Sequence, residues 1–141
     1  MLGHPHATEA ELIQALRISG AITMVQQDAA SLDRLINEGG RGLSGGQRQM
    51  VLLSRLIVRN PQIVLLDEPT ASMDEQLEAW VIRQLQQWLT GRTLILVTHR
   101  PALLNLVDRI VVMENGKIIA DGPRDSLLKQ AQNNSNVASI A

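Results

Sequence analysis

The chain reads as an α/β protein, on three observations. Two short apolar runs, Gln62–Leu66 and Thr93–Thr98, have the length and continuity of buried strands. Between them lies a helix-length segment with apolar residues at helical spacing. Helical patterns dominate the N-terminal part, and an Asn115-Gly116 pair between two further apolar runs marks a hairpin. Helices first, then strand and helix in alternation, then a hairpin is the order of an α/β core with a helical portion appended.

Each element has a local reason. Thr8–Ser19 is predicted to be a helix: Thr8 and Glu11 form a capping box, Leu12, Ile13 and Leu16 make the apolar stripe, and Gly20 ends it. Asp28–Ile36 is expected to be a second short helix, followed by a Gly-rich loop from Gly39 to Gly42. Ser44 is a natural N-cap for a helix from Gly45 to Arg59, which Asn60-Pro61 terminates. The first strand follows, buried on both faces as parallel strands usually are. Pro69–Asp74 is a loop, and Glu75–Leu89 is a helix with Leu77, Val81, Leu85 and Trp88 on one face, stopped by Gly91. After the second strand, Pro101–Leu106 opens on a proline that suits a first helical turn. Arg109–Met113 and Lys117–Ala120 are the hairpin strands. Pro123–Gln130 is a last short helix, and Asn133–Ala141 is expected to fray.

Composition narrows the function classes. With 141 residues the chain can build one core. Thirteen basic and 14 acidic residues give a net charge of −1, so no electrostatic footprint for nucleic acid is present. Cysteine is absent, which excludes disulfides and thiolate metal sites. Trp80 and Trp88 are the only aromatics, so the core must be aliphatic and a stacking platform for bases is not available. The two tryptophans are expected in the core or at a subunit contact. No apolar run approaches the roughly 20 residues that cross a bilayer. His4 and His6 are expected at the surface.

Three places carry chemistry. Asp67 and Glu68 end the first strand, at the sheet edge where ligands of α/β proteins bind. Adjacent strand residues point to opposite faces, so one carboxylate can hold Mg²⁺ while the other orients and deprotonates a water. A plain surface strand end is the competing explanation. Ser44-Gly45-Gly46-Gln47 opens a helix whose N–H groups, approached closely past two glycines, can hold an anion. Any Ser-Gly-Gly cap after a loop would look the same. His99 follows the second strand and is placed to sense a phosphate or an attacking water, although a lone strand-end histidine is usually an ordinary side chain.

Taken jointly, the order is informative: Leu43-Ser44-Gly45-Gly46-Gln47, helix, strand with Asp67-Glu68-Pro69, then Thr70-Ala71-Ser72-Met73-Asp74, helix, strand, His99. Over roughly residues 8–130 this resembles the ATP-binding-cassette (ABC) ATPases. The resemblance implies a partial P-loop NTPase (RecA-like) core with parallel strands and a C-terminal hairpin, plus a helical signature subdomain. The implied layout is residues 1–60 as part of the helical subdomain, 61–131 as the second half of the ATPase core, and 132–141 as a disordered tail. It implies ATP and Mg²⁺ as cofactors in an intact cassette. Ser44, Gly45, Gly46 and Gln47 match the signature that grips the γ-phosphate of ATP on the opposite subunit. Asp67 matches the Walker B aspartate on the Mg²⁺ shell, and Glu68 the catalytic glutamate that polarises water. Asp74 matches the D-loop aspartate at the dimer interface, and His99 the switch histidine at the γ-phosphate.

The implied partners are a second nucleotide-binding domain and a transmembrane permease, fused in the parent protein, with no nucleic acid. The implied location is the cytoplasmic face of the bacterial inner membrane through that permease, the chain by itself being cytoplasmic. Met73 in place of the commoner Leu, with Glu38-Gly39-Gly40-Arg41-Gly42 and Asp121-Gly122-Pro123-Arg124-Asp125, resembles the cassettes of bacterial type I secretion exporters.

The sequence departs from the family pattern by containing no Gly-x-x-x-x-Gly-Lys-Ser/Thr loop, no Gln loop and no adenine-stacking aromatic. Its lysines are Lys117 and Lys129, neither of which follows a Gly-rich phosphate loop. Since that loop supplies most nucleotide contacts in this class, the 141-residue chain is expected to be a fragment that neither binds nor hydrolyses MgATP alone. In the family the Walker A strand separates the strands matching Thr93–Thr98 and Arg109–Met113. The hairpin would therefore have to cross a gap or slide inward, and an exposed apolar strand edge would favour aggregation. Two other readings stand beside the transporter one. A DNA-repair or chromosome ATPase shares the signature and acidic strand, but Gln47, the near-neutral charge and the lack of a coiled-coil insertion weigh against it. A non-enzymatic module that presents Ser44–Gln47 in trans to a partner's ATP is physically consistent.

Overall fold

The computed structural model describes residues 6–27 and 42–138, so the helix expected over Asp28–Ile36, most of the Gly39–Gly42 loop and His4 lie outside the described residues. The chain forms two compact units, residues 1–99 and 100–141.

In the first unit, α1 (Glu9–Ser19) starts at the expected capping box, with Thr8 and Glu11 each accepting from the other's backbone N–H. Gly20 closes it in the left-handed region at φ 81°, where a Cβ would also meet Leu77 at 2.9 Å. Sequence reading missed the short α2 (Ile22–Gln27), which follows with no polar cap to announce it. Helix α3 (Gly45–Arg59) has the expected bounds, with Ser44 as N-cap and Asn60 in the left-handed region at φ 48°. Met50, Leu53, Ser54 and Ile57 form its buried stripe. Helix α1 packs on α3 and on α4 (Glu75–Trp88). A buried hydroxyl pair, Ser19 to Ser54 at 2.7 Å, ties α1 to α3, and Ser54 also donates to the Met50 carbonyl. Each buried hydroxyl thus has a partner, which removes the desolvation cost of an orphan.

Strands β1 (Ile63–Asp67) and β2 (Thr93–Val97) pair in parallel, Ile63 opposite Thr93 and Asp67 opposite Val97. The parallel pairing is as expected; burial on both faces is not. Val64 and Leu66 are buried, but Ile63 and Leu65 are 60% and 68% exposed, and Ile95 and Val97 on β2 are 54% and 60% exposed. The physical reason is the pleat: alternate side chains leave opposite faces, and only one face is covered. The aliphatic core comprises Val64, Leu66, Val81, Ile82, Leu85 and Leu89 with the α3 stripe. Both tryptophans are half-buried rather than central. The Arg92 guanidinium lies 4.6 Å over the Trp88 ring, and it bonds both the Trp88 carbonyl and the side chain of Asn60, the residue that ends α3.

The second unit opens with a 3₁₀ turn at Pro101–Leu106, whose Leu103 is fully buried. Strands β3 (Arg109–Glu114) and β4 (Lys117–Pro123) form an antiparallel hairpin with a bulge between Val112 and Met113. Asn115 and Gly116 turn it with φ 50° and 74°, the two positive values that a two-residue primed turn needs. β3 and β4 pair with each other as a two-stranded sheet. Helix α5 spans Arg124–Ala138 rather than stopping at Gln130. No Gly or Pro interrupts residues 124–138. Among the described residues no helix is long and apolar enough to cross a membrane.

Candidate functional site

The acidic end of β1 is built by a change of backbone region. Asp67 is the last strand residue and shares the exposed face with Ile63 and Leu65. Glu68 then adopts φ 43°, in the left-handed region that a residue with a Cβ seldom enters. Its N–H remains on the ladder, donating to the Val97 carbonyl at 3.0 Å. The twist turns its carboxylate toward the end of β2. There the His99 backbone N–H donates to Oε1 at 2.7 Å, the His99 ring Nδ1 lies 2.7 Å from the same oxygen, and the Thr98 hydroxyl donates to Oε2 at 3.1 Å. Simple alternation along a strand therefore does not by itself separate the two carboxylates: Asp67 is in the strand and Glu68 has left it.

The electrostatics follow. Burial disfavours the charged Glu68 carboxylate, but the His99 N–H, the Thr98 hydroxyl and the His99 ring outweigh it and hold the group below the ordinary glutamate range. Glu68 is ionised at neutral pH and only accepts, so Nδ1 of His99 carries the proton and Nε2 stays available. The His99 side chain is 82% exposed and that of Glu68 27% exposed. A carboxylate has about four acceptor positions, so Glu68 can still take a hydrogen bond from a water.

The loop between Glu68 and Asp74 is fastened at each step. Ala71 N–H bonds the Glu68 carbonyl, and Met73 N–H the Thr70 carbonyl. The buried Thr70 hydroxyl donates to the buried Glu78 carboxylate on α4. Asp74 is the N-cap of α4, its Oδ1 accepting from Leu77 N–H at 2.9 Å while the residue stays exposed.

Ser44 and Gln47 bond each other's backbone in a capping box, Gln47 N–H to Ser44 Oγ at 3.2 Å and Ser44 N–H to Gln47 Oε1 at 2.9 Å. The glycines between them have a use that sequence reading missed. A Cβ on Gly46 would stand 2.7 Å from the Ser72 carbonyl oxygen, and one on Gly45 would stand 3.0 Å from Ser72 Oγ. Close approach of the loop to the helix therefore demands glycine at position 46 whether or not an anion binds, while at 45 the Ser72 side chain would have to give by a few tenths of an ångström. Gln49, one turn after Gly45 on the same side of α3, reaches the same loop: its Nε2 donates to the Glu68 carbonyl at 2.7 Å and its Oε1 accepts from Ser72 N–H at 3.0 Å. Gln49, Ser72 and Thr98 are the neighbours missed from sequence; the i, i+4 spacing of Gly45 and Gln49 is the one signal that groups two of these contacts.

Glu68, His99 and the start of α3 thus converge on one loop, with Asp67 and Asp74 at its two ends. Among the described residues no three His, Cys, Asp or Glu side chains cluster as a metal site. Mg²⁺ keeps several waters and takes phosphate oxygens, so the single exposed Asp67 carboxylate fits it only beside a nucleotide.

Comparison with known proteins agrees with the motif order. The family model described as ABC transporter matches residues 4–71. The alpha-hemolysin translocation ATP-binding protein of Escherichia coli is 34% identical over 131 residues, 93% of this chain and 18% of that protein. A leukotoxin translocation ATP-binding protein of a Pasteurella haemolytica-like species is 36% identical over 138 residues, 98% of this chain and 19% of that protein. The chain thus spans about a fifth of the length of these relatives. A bacterial Atm1-family ABC exporter solved with ATP bound superposes with a TM-score of 0.83 at 28% identity, covering 92% of this chain and 23% of that one.

Proposed function

Since this chain belongs to the ABC transporter family, we propose that it is the signature and acidic-strand part of a nucleotide-binding domain that couples ATP binding and hydrolysis to membrane export, in the manner of type I protein secretion. The observation that carries the reading is the Glu68 carboxylate, ionised and held by His99 and Thr98 at the end of a parallel strand pair. The names of two matched relatives, translocation ATP-binding proteins for a hemolysin and a leukotoxin, favour a protein toxin as cargo.

The geometry, together with the family resemblance, supports these roles. Glu68 accepts a hydrogen bond from the attacking water and polarises it. His99 holds that carboxylate through Nδ1 and offers its exposed Nε2 edge to the phosphate side; protonation would turn Nε2 into a donor. Asp67 would hold Mg²⁺ through its carboxylate, the ion neutralising charge on the transferred phosphoryl group. Ser44 to Gln47 present helix N–H groups to a nucleotide held by a second cassette, and Asp74 meets that cassette beside them. A nucleotide site in cis requires a phosphate loop that the present sequence does not contain, so turnover belongs to the assembled cassette, at the cytoplasmic face of a membrane through a permease partner.

The test is a chimaera in which residues 8–130 replace the matching stretch of the E. coli alpha-hemolysin protein's ATPase domain. Turnover is expected in the chimaera, with Glu68→Gln cutting kcat at least about 100-fold while ATP binding persists. The 141-residue chain alone is expected to show no ATP-dependent turnover. Turnover by the chain alone that Glu68→Gln abolishes, or a chimaera indifferent to Glu68→Gln, would overturn the reading.

A further inference from the structure

Gln49 is tied to neither the capping box of α3 nor the core stripe of that helix. It is half-buried, and its two amide atoms are spent on two backbone groups of one loop, the Glu68 carbonyl and the Ser72 N–H. One orientation of the amide satisfies both, since only nitrogen can donate to the carbonyl and only oxygen can accept from the N–H. The Glu68 backbone is thereby pinned on both sides: its N–H by Val97 on β2 and its carbonyl by Gln49, with Ala71 N–H at 3.2 Å as second donor. A left-handed residue with a Cβ is strained and persists only where its surroundings over-determine it. Here the surroundings include a side chain from α3.

We propose that Gln49 is a positioning residue that links the N-terminal turn of α3 to the Glu68 backbone, and so sets where the Glu68 carboxylate points. The link is short and stiff. Gly46 abuts the Ser72 carbonyl without room for a Cβ, so the first turn of α3 and the loop move as one piece. A displacement of that turn reaches the Glu68 carbonyl through a single side chain, and the carboxylate follows because its direction depends on the strained backbone. The inference rests on the catalytic reading of Glu68. It adds that what α3 grips at Ser44–Gln47 and what Glu68 does at its own strand end are coupled through Gln49.

The 141-residue chain, labelled for NMR, tests this without nucleotide. Gln49→Met, which keeps the length and removes both bonds, is expected to speed Ser72 amide exchange about tenfold. It should also move the Glu68 backbone coupling constant out of the positive-φ range. Gln49→Asn, which keeps the amide but withdraws it by one methylene, should behave in the same way. A residue that merely fastens the helix to the loop would alter Ser72 exchange and overall stability but leave the Glu68 coupling unchanged, and that result overturns the proposal. A second measurement needs no substitution: the Gln49 side-chain amide protons should exchange about tenfold more slowly than those of exposed Gln76 and Gln86, and equal rates refute the bridge. Failure of the chimaera to turn over, with these signals intact, would remove the catalytic reading of Glu68 and leave the link standing.

Discussion

Strands β3 and β4 meet through a two-residue turn and a cross-strand ion pair, whereas β1 and β2 are parallel and are joined only through the whole of α4. The hairpin exposes most of its side chains and is held by what its own sequence carries: the Asn115-Gly116 turn and Arg109, whose Nε and Nη2 donate to the two Asp121 oxygens at 2.8 and 2.6 Å. The parallel pair buries Val64 and Leu66 in a core that also includes Val81 and Leu85, and its opposite face is aliphatic and open. The difference teaches that the acidic end of β1 depends on a distant core, while the hairpin is set by neighbours in sequence.

The largest expected effect separates the two. Leu85 is fully buried, and Leu85→Ala should cost about 2–5 kcal/mol, melting β1–β2 protection in residue-resolved denaturant unfolding while the hairpin amides keep theirs. Loss of both together would mean that the two units are one cooperative body. Next come two glycines that differ in kind. Gly46→Ala drives a methyl into the Ser72 carbonyl and should cost about 1–3 kcal/mol, with faster exchange in the 68–74 loop. Gly116→Ala meets nothing within 4 Å but must hold φ 74°, so it should cost on the order of 1 kcal/mol, confined to the hairpin.

A smaller effect is acid lability. The folded Glu68 carboxyl titrates below its usual value, as does Asp121, whose bond to Arg109 outweighs the burial that raises it. The unfolded chain therefore binds protons first as pH falls. Both contributions are fully present above the ordinary carboxylate range of about 4 and fade as pH drops through the lowered folded values. The stability gap between the chain and its Glu68→Gln variant should accordingly shrink from pH 6 to pH 3 in denaturation midpoints; a gap that widens would contradict the Glu68–His99 contact. The smallest stability change is expected for Leu65→Lys on the open face, within about 0.5 kcal/mol, yet it should reduce binding of an apolar dye because it interrupts the exposed aliphatic patch.

Much of the fold was legible in the residues. The capping box of α1, the Ser44 N-cap of α3, the stops at Gly20 and Asn60, and the hairpin turn are all encoded within a few positions of where they act. The strand ends at Asp67 and Val97 were legible to within one residue, because an apolar run followed by carboxylates or histidine has few other uses. Helix α2 was not, since Ile22–Gln27 lacks a cap and is too short for periodicity. The candidate site was legible as a set of residues and not as an arrangement. Glu68 and His99 could be named, but their contact, the Thr98 hydroxyl and the Gln49 bridge could not.

What the sequence determined by itself is therefore local: caps, turns, the hairpin, the order of motifs and the placement of Asp67 and Glu68 at a strand end. The partners of caps and turns lie within about four residues and the hairpin ion pair spans 12, so a short window holds each interaction. The tertiary structure alone decided which face of the β1–β2 pair is covered, why two adjacent glycines sit at the head of α3, and how Glu68 turns out of its strand. Those depend on contacts 19 to 31 residues apart in the chain, from Gln49 to Glu68 and from Glu68 to His99. Such contacts form only after a core has brought the segments together and met the entropy cost of closing the loops between them.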